Sequence, residues 1–283
     1  MRLLIGCLLL LVSASLLAAE PFPWNKVPEV KIEDFKAEFL SKVEKKLESI
    51  KSYGRCRESV AACLRKKDVH GTPARLARDV LILMAENSSD EEIAKWVETR
   101  KQMAHPGEEK IRQPSLAGLT PLGKADAEIV LVEYSDVQGP FGGRWARIVE
   151  EVERESKGRA RLYFKQFPIK SHPRALEAAK ACVASERLGQ FWSYCGLLFA
   201  SQDDLSDETI LKLAKKVGMD VEKFKAAIAE ESVLNRIADE KMEGLKFHIE
   251  GTPTLYVNGK EFLLLPTERL LKDRLEEEWD ILH

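Results

Sequence analysis

Residues 128–135 form an apolar stretch that leads through Gly139-Pro140-Phe141-Gly142 into a helix opening near Gly143, and a second apolar stretch, Ala160 to Phe167, follows that helix. A strand, a helix and a strand in one sheet close through a right-handed crossover, so the two strands are predicted to run parallel. Ile129-Val130-Leu131-Val132 is apolar at consecutive positions, as in a strand covered on both faces, and Trp145, Ile148, Val149 and Val152 mark the inward face of the helix. Arg174 to Phe247 reads as a largely helical insertion. Gly251-Thr252-Pro253 then turns into a strand, Thr254 to Val257, which Asn258-Gly259 pairs with Glu261 to Leu265, and Thr267 to Leu282 is a last helix. The fold class is α/β.

A different pattern precedes this unit. Met1-Arg2, an apolar run from Leu3 to Leu17 and the small pair Ala18-Ala19 have the layout of a secretory signal peptide. Cleavage near Ala19 is expected, leaving a mature chain without a membrane span in the periplasm or secreted; an uncleaved anchor is the competing reading. Residues 20–104 are predicted as an all-helical module. Phe35, Phe39, Val43, Leu47 and Ile50 recur at three- and four-residue steps, Arg57 to Val69 and Ala74 to Glu86 read as helices separated by Gly71-Thr72-Pro73, and Ser89-Asp90-Glu91-Glu92 is a capping box for another. Residues 105–125, rich in proline and glycine and without apolar period, read as a linker to a domain over 126–283.

The 283 residues carry 44 basic and 46 acidic side chains, a formal charge of −2, which gives no electrostatic reason to expect nucleic acid or an anionic membrane surface as partner. The mature chain holds four cysteines, Cys56, Cys63, Cys182 and Cys195, destined for an oxidising compartment. Cys182 and Cys195 sit at similar distances from the Leu188-Gly189-Gln190 bend between two predicted helices, so an antiparallel pair brings them within the ~4.4 to 6.8 Å Cα separation of a disulfide. Two buried free thiols are the alternative.

Val132-Glu133-Tyr134-Ser135-Asp136-Val137-Gln138-Gly139-Pro140-Phe141-Gly142, Phe167-Pro168 with His172-Pro173, Gly189-Gln190-Phe191-Trp192 and Gly251-Thr252-Pro253-Thr254 occur in this order. Together they resemble the DsbA-like branch of the thioredoxin superfamily, over Asp126 to His283. The resemblance implies a thioredoxin-like fold with a helical insertion, and places Gly139 and Gly142 where that family carries the two cysteines of Cys-x-x-Cys. Without sulfur at either position, the attacking and resolving steps of thiol exchange have no nucleophile there, so no catalysis is expected at Gly139 and Gly142. Glu133 matches the family's acid beneath the cysteine pair; here it is expected to be a relic, a strand carboxylate held by a lysine. A cis Thr252-Pro253 bond opposite the Gly139-Pro140-Phe141-Gly142 loop is implied, with Thr252 offering backbone hydrogen bonds to an extended peptide.

His70-Gly71-Thr72-Pro73-Ala74-Arg75-Leu76-Ala77-Arg78-Asp79-Val80 and Ser88-Ser89-Asp90-Glu91-Glu92-Ile93 are similar to the helical thiol domain of CcmH-like cytochrome c maturation proteins, over about Tyr53 to Met103. That family has closely spaced cysteines, whereas Cys63 lies seven positions after Cys56. On one continuous helix seven residues span ~10.5 Å, too far for a disulfide, so a bridge requires Cys56 in the loop after Gly54. The same spacing argues against Cys56, Cys63 and His70 sharing a metal ion; no metal and no cofactor are expected. The expected function is non-catalytic capture of an extended peptide or an envelope protein by Gly139, Pro140, Phe141, Gly142, Thr252 and Pro253, as a chaperone or assembly factor. Thiol-disulfide exchange through Cys56/Cys63 or Cys182/Cys195 and a purely structural scaffold are the alternatives.

Overall fold

The computed structural model describes residues 21–68 and 71–283. The expected signal peptide, residues 1–19, and His70 lie outside the described residues.

Four helices open the described chain: α1 (Ala37–Ser49), α2 (Val60–Arg65), α3 (Gly71–Ala85) and α4 (Asp90–Ala104). Their apolar faces meet at Val43, Leu47, Val60, Leu64, Leu76, Val80 and Ile93. The helix expected from Arg57 contracts to α2 because residues 51–59 fold back on themselves, with Ser52 N–H donating to the Glu58 carbonyl (2.8 Å). Ser59 then caps α2, its hydroxyl accepting from Ala62 N–H at 3.1 Å. Thr72-Pro73 does not break the next helix but forms its first turn, where proline's missing N–H has no intrahelical partner to lose. Ser89 and Glu92 form the capping box of α4.

The stretch expected as a linker is packed on the sheet. Arg112 N–H donates to the Gly259 carbonyl (2.8 Å), Ser115 N–H to Glu243 (2.7 Å) and Thr120 N–H to Glu186 (2.6 Å), while Leu116 and Leu119 lie against the core. It ends in β1 (Leu122–Gly123). There follow β2 (Ile129–Ser135), α5 (Gly142–Glu155), β3 (Ala160–Gln166), α6 (Ala175–Arg187), α7 (Phe191–Phe199), α8 (Asp207–Lys216), α9 (Val221–Ile228), α10 (Glu231–Lys246), β4 (Thr254–Val257), β5 (Lys260–Glu261) and α11 (Glu268–Leu282).

The sheet order is β1-β3-β2-β4-β5. β2 and β3 are parallel, as the crossover requires, with Leu131 opposite Leu162 and Glu133 opposite Phe164; the other pairings are antiparallel. Alternation sorts the strand residues to two faces. Ile129, Leu131, Leu162, Leu255 and Val257 pack with Trp145, Val149 and Val152 of α5 and with Leu271 and Leu275 of α11. Val132, Tyr134, Tyr163 and Tyr256 pack on the other side with Phe167 and Ile249. The Asn258-Gly259 turn takes positive φ at both residues (47° and 78°), and a Cβ on Gly259 would overlap the Arg112 carbonyl oxygen, so glycine is required twice over. β5 is shorter than the strand expected over 261–265.

A buried charge network joins the N-terminal helices to α11. Arg100 of α4 contacts Asp79 of α3 (2.5 Å) and Glu277 of α11 (2.5 Å), and Arg78 contacts Asp273 of α11. Arg269 adds a bond to Asp79 (2.7 Å) and Tyr53 donates to Glu277 (2.8 Å). Arg78, Asp79, Arg100 and Glu277 are each at most 2% exposed. Three arginines face three carboxylates, so the set is neutral only when complete. Removing one member strands a buried charge, a defect that costs about 3–5 kcal/mol. Asp79→Asn is therefore expected to lower unfolding stability by about that amount in urea titration, whereas Glu98→Gln, which breaks only the exposed Lys101 pair, changes it by less than about 1 kcal/mol.

Candidate functional site

β2 delivers the chain into a loop organised by one carboxylate. Asp136, 2% exposed, accepts hydrogen bonds from Gln138 N–H (2.8 Å) and Ile169 N–H (2.7 Å) and contacts His172 Nδ1 (2.8 Å). Two turns follow, Gly139 N–H to the Asp136 carbonyl (2.9 Å) and Gly142 N–H to the Gly139 carbonyl (3.0 Å). Gln202, beyond α7, donates to the carbonyls of Val137 and Gly139, 2.6 Å to each. The loop is thus pinned by β2, by the segment after β3 and by the insertion. Phe141, the N-cap residue of α5, provides no side-chain cap and is 69% exposed.

The two glycines differ in what surrounds them. A Cβ at Gly139 would stand 3.1 Å from the Asp136 carbonyl oxygen and 3.7 Å from Thr252 Oγ1. At Gly142 it would stand 2.8 Å from that carbonyl oxygen and 2.9 Å from Phe199 Cε1. A side chain at position 142 would therefore require the Asp136 carbonyl or the Phe199 ring to shift. α5 still presents its N-terminal dipole here, but neither motif position supplies a group to ionise.

Ser135 Oγ lies 3.5 Å from the same absent Cβ, and Glu133 is on the same face of β2, one strand period deeper. Glu133 is 1% exposed and its Oε1 has no hydrogen-bond partner. Burial pushes its carboxyl from 4.5 up to about 8, with the Ser135 hydroxyl opposing the rise and Glu150 adding to it. The expected lysine partner is a correction: Lys165 stands opposite Tyr134, so it points to the other face of the sheet, where it pairs with Glu243. Glu133 is neutral at moderate pH, the form an apolar layer tolerates.

The Thr252–Pro253 peptide is cis. It faces the Gly139 loop from the start of β4. Among the described residues, Thr252 N–H and C=O have no backbone hydrogen-bond partner, and a shallow cleft of about 420 Å³ runs beside them, lined by His248, Glu250, Thr254 and Glu261. Gly139 and Thr252 are thereby brought together, Gly142 lies on the far side of the same loop, Pro140 and Phe141 are exposed, and none of residues 139–142 lines the cleft. The cysteines are elsewhere. Cys182 and Cys195 are bridged across α6 and α7 with Cα atoms 5.4 Å apart, inside the core of the insertion. Cys56 and Cys63 are also bridged, with Cα atoms 6.0 Å apart, and Cys56 is in the loop after Gly54.

Asp136, His172, Phe199 and Gln202 complete the site, and sequence reasoning did not select them. Asp136 carried a usable signal, since an aspartate at a strand end commonly accepts from the N–H two residues on. Gln202 sits in the turn before α8 and carried none.

Residues 117–276 match the family described as Thioredoxin. The match begins inside the stretch where the chain already packs on the sheet. Among curated proteins, a Na(+)/H(+) antiporter NhaA 1 of Mycolicibacterium gilvum is 38% identical over 142 residues, 49% of this chain and 23% of that protein; the chain thus matches less than a quarter of that relative's length. Among solved structures, the thiol-disulfide exchange protein alpha-DsbA2 of Wolbachia pipientis superposes with a TM-score of 0.54 at 18% identity, covering 65% of this chain and 98% of that one. Oxidised BdbD of Bacillus subtilis gives 0.53 at 25% identity, covering 60% and 97%.

Two outcomes follow from this geometry. Gly142→Ala is expected to destabilise the protein by about 1–3 kcal/mol through overpacking, with partial recovery in the Gly142→Ala/Phe199→Leu double variant, measured by chemical denaturation. Between pH 4.5 and about 8 the unfolded chain has released the Glu133 proton that the folded chain keeps. Stability should therefore fall with rising pH across that window, at up to about 1.4 kcal/mol per pH unit. The Glu133→Gln variant should lack this component in thermal melts taken across the range.

Proposed function

The chain belongs to the DsbA-like thioredoxin-fold family, and on that footing we propose that it is an exported, non-catalytic member that holds an extended peptide or a segment of an envelope protein in the groove between Gly139-Pro140-Phe141-Gly142 and Thr252-Pro253. The observation that carries this reading is the unpaired backbone of Thr252 opposite the loop. An N–H and a C=O without backbone partners, beside a cleft, accept one added strand. Phe141 at the rim supplies an exposed aromatic surface for a peptide side chain.

Absence of chemistry at the motif is supported by the lack of an ionisable side chain at Gly139 and Gly142 and by the close contacts a Cβ would make at Gly142. Glu133 below it keeps a carboxyl at the depth where the family moves a proton, yet no thiol stands above it to give one up. Cys182 and Cys195 are 0% and 4% exposed, which favours a staple inside the insertion over a redox pair. A chaperone or assembly role follows from capture without turnover.

The test uses the full mature chain and an unfolded, S-carboxymethylated polypeptide followed by fluorescence anisotropy. Thr252→Trp and Phe141→Ala are each expected to weaken capture about tenfold, ~1.4 kcal/mol, with thermal midpoints unchanged. Capture that is equal in the wild type and both variants sinks the groove reading.

A further inference from the structure

The two disulfides are built differently. Cys182–Cys195 is closed off on both sides by the core of the insertion. In Cys56–Cys63 the burial is one-sided: Cys63, on α2, is 0% exposed, whereas Cys56 is partly exposed in a loop that turns at Gly54 with φ +82°. Cys56 also forms part of the wall of a cleft of about 840 Å³ between the N-terminal helices and the end of α11, a volume within the range of ligand-binding clefts.

The cleft carries charges of both signs. Lys51, Arg55, Arg57 and Lys101 line it, and Arg55 and Arg57 flank Cys56 directly in the chain. Three carboxylates reach it as well, Glu277 held by Arg100 and Tyr53, Asp280 by Arg75, and Glu98 paired with Lys101. Positive charge beside a sulfur stabilises its thiolate, which makes it both a better leaving group and a target that attracts an incoming thiolate.

We propose that Cys56–Cys63 is an exchange site that accepts electrons from a dithiol-bearing protein or peptide entering this cleft. It is independent of the Thr252 groove and uses none of its residues. A thiolate of the partner attacks Sγ of Cys56, the sulfur that solvent reaches. The bond from the partner's sulfur to Cys56 forms as the Cys56–Cys63 bond breaks, and Cys63 takes the electron pair and a proton from solvent. The partner's second thiolate then attacks the partner's own sulfur in the mixed disulfide and expels Cys56 as a thiolate beside the two arginines. Two electrons have passed to the Cys56/Cys63 pair, and the partner leaves with its dithiol oxidised to a disulfide.

Equilibration of the full mature chain in glutathione buffers of graded redox poise, followed by alkylation and peptide mapping, tests this in the wild type. Cys56 and Cys63 should become alkylated together while Cys182–Cys195 stays oxidised and circular dichroism stays native. Reduction of both bridges at one poise, or survival of Cys56–Cys63 until the protein unfolds, overturns the proposal. Single-cysteine variants test the asymmetry. Cys63→Ser should form a mixed disulfide with oxidised glutathione at least about tenfold faster than Cys56→Ser, and adding Arg57→Glu to Cys63→Ser should slow it about threefold or more. Equal rates for the two single variants, or no effect of the charge reversal, also overturn it.

Discussion

The charge-balanced cluster of Arg78, Arg100 and Arg269 with Asp79, Asp273 and Glu277 is the contact on which the arrangement of the whole chain depends. α11 packs its apolar side, Leu271 and Leu275, on the sheet and gives its acidic side to α3 and α4. One helix is therefore shared by two cores. Apolar packing alone would let the N-terminal helices slide on α11, because it has no preferred register. Fixed donors and acceptors at 2.5 to 2.8 Å between Arg100, Asp79, Glu277 and Tyr53 do not allow that. The desolvation of these groups is offset only in the one arrangement that pairs them all.

At the other end of the sheet, the loop at the β2 to α5 junction is packed closely around its glycines. The Asp136 carbonyl and the Phe199 ring stand where a side chain at position 142 would be, and Gln202 bridges two carbonyls of the loop. These contacts are made by three separate segments, so the loop is held from several directions. A helix N-terminus, a buried acid and a cis peptide surround this loop.

The central sheet and its crossover were legible because Ile129 to Val132 and Leu162 to Phe164 carry patterns that only buried strands carry, and Asn258-Gly259 is a turn signal with a backbone cause. The reach of residues 105–125 was not legible. Its partners are Glu186, Glu243 and the Gly259 carbonyl, and backbone N–H groups leave no mark in composition. The charge network was hidden for a related reason, since Asp79 and Glu277 look like ordinary polar positions of amphipathic helices until α3 and α11 are placed side by side. Glu133 was expected to be held by a lysine, but the lysine of the neighbouring strand, Lys165, stands opposite Tyr134 and so lies on the other face. At the site, the motif glycines and Thr252-Pro253 were readable, while the groups that fill the space around them come from distant segments.

The stretch before β1 touches the Gly259 turn at Arg112 and ends against β3 at Leu122, so it crosses the face of the sheet from one side to the other. Both outer strands, β1 and β5, are two residues long. Short outer strands offer little template for another chain, which limits edge-to-edge aggregation. A longer free edge would invite other chains onto the sheet; here the crossing segment, ending in β1, closes the β3 side.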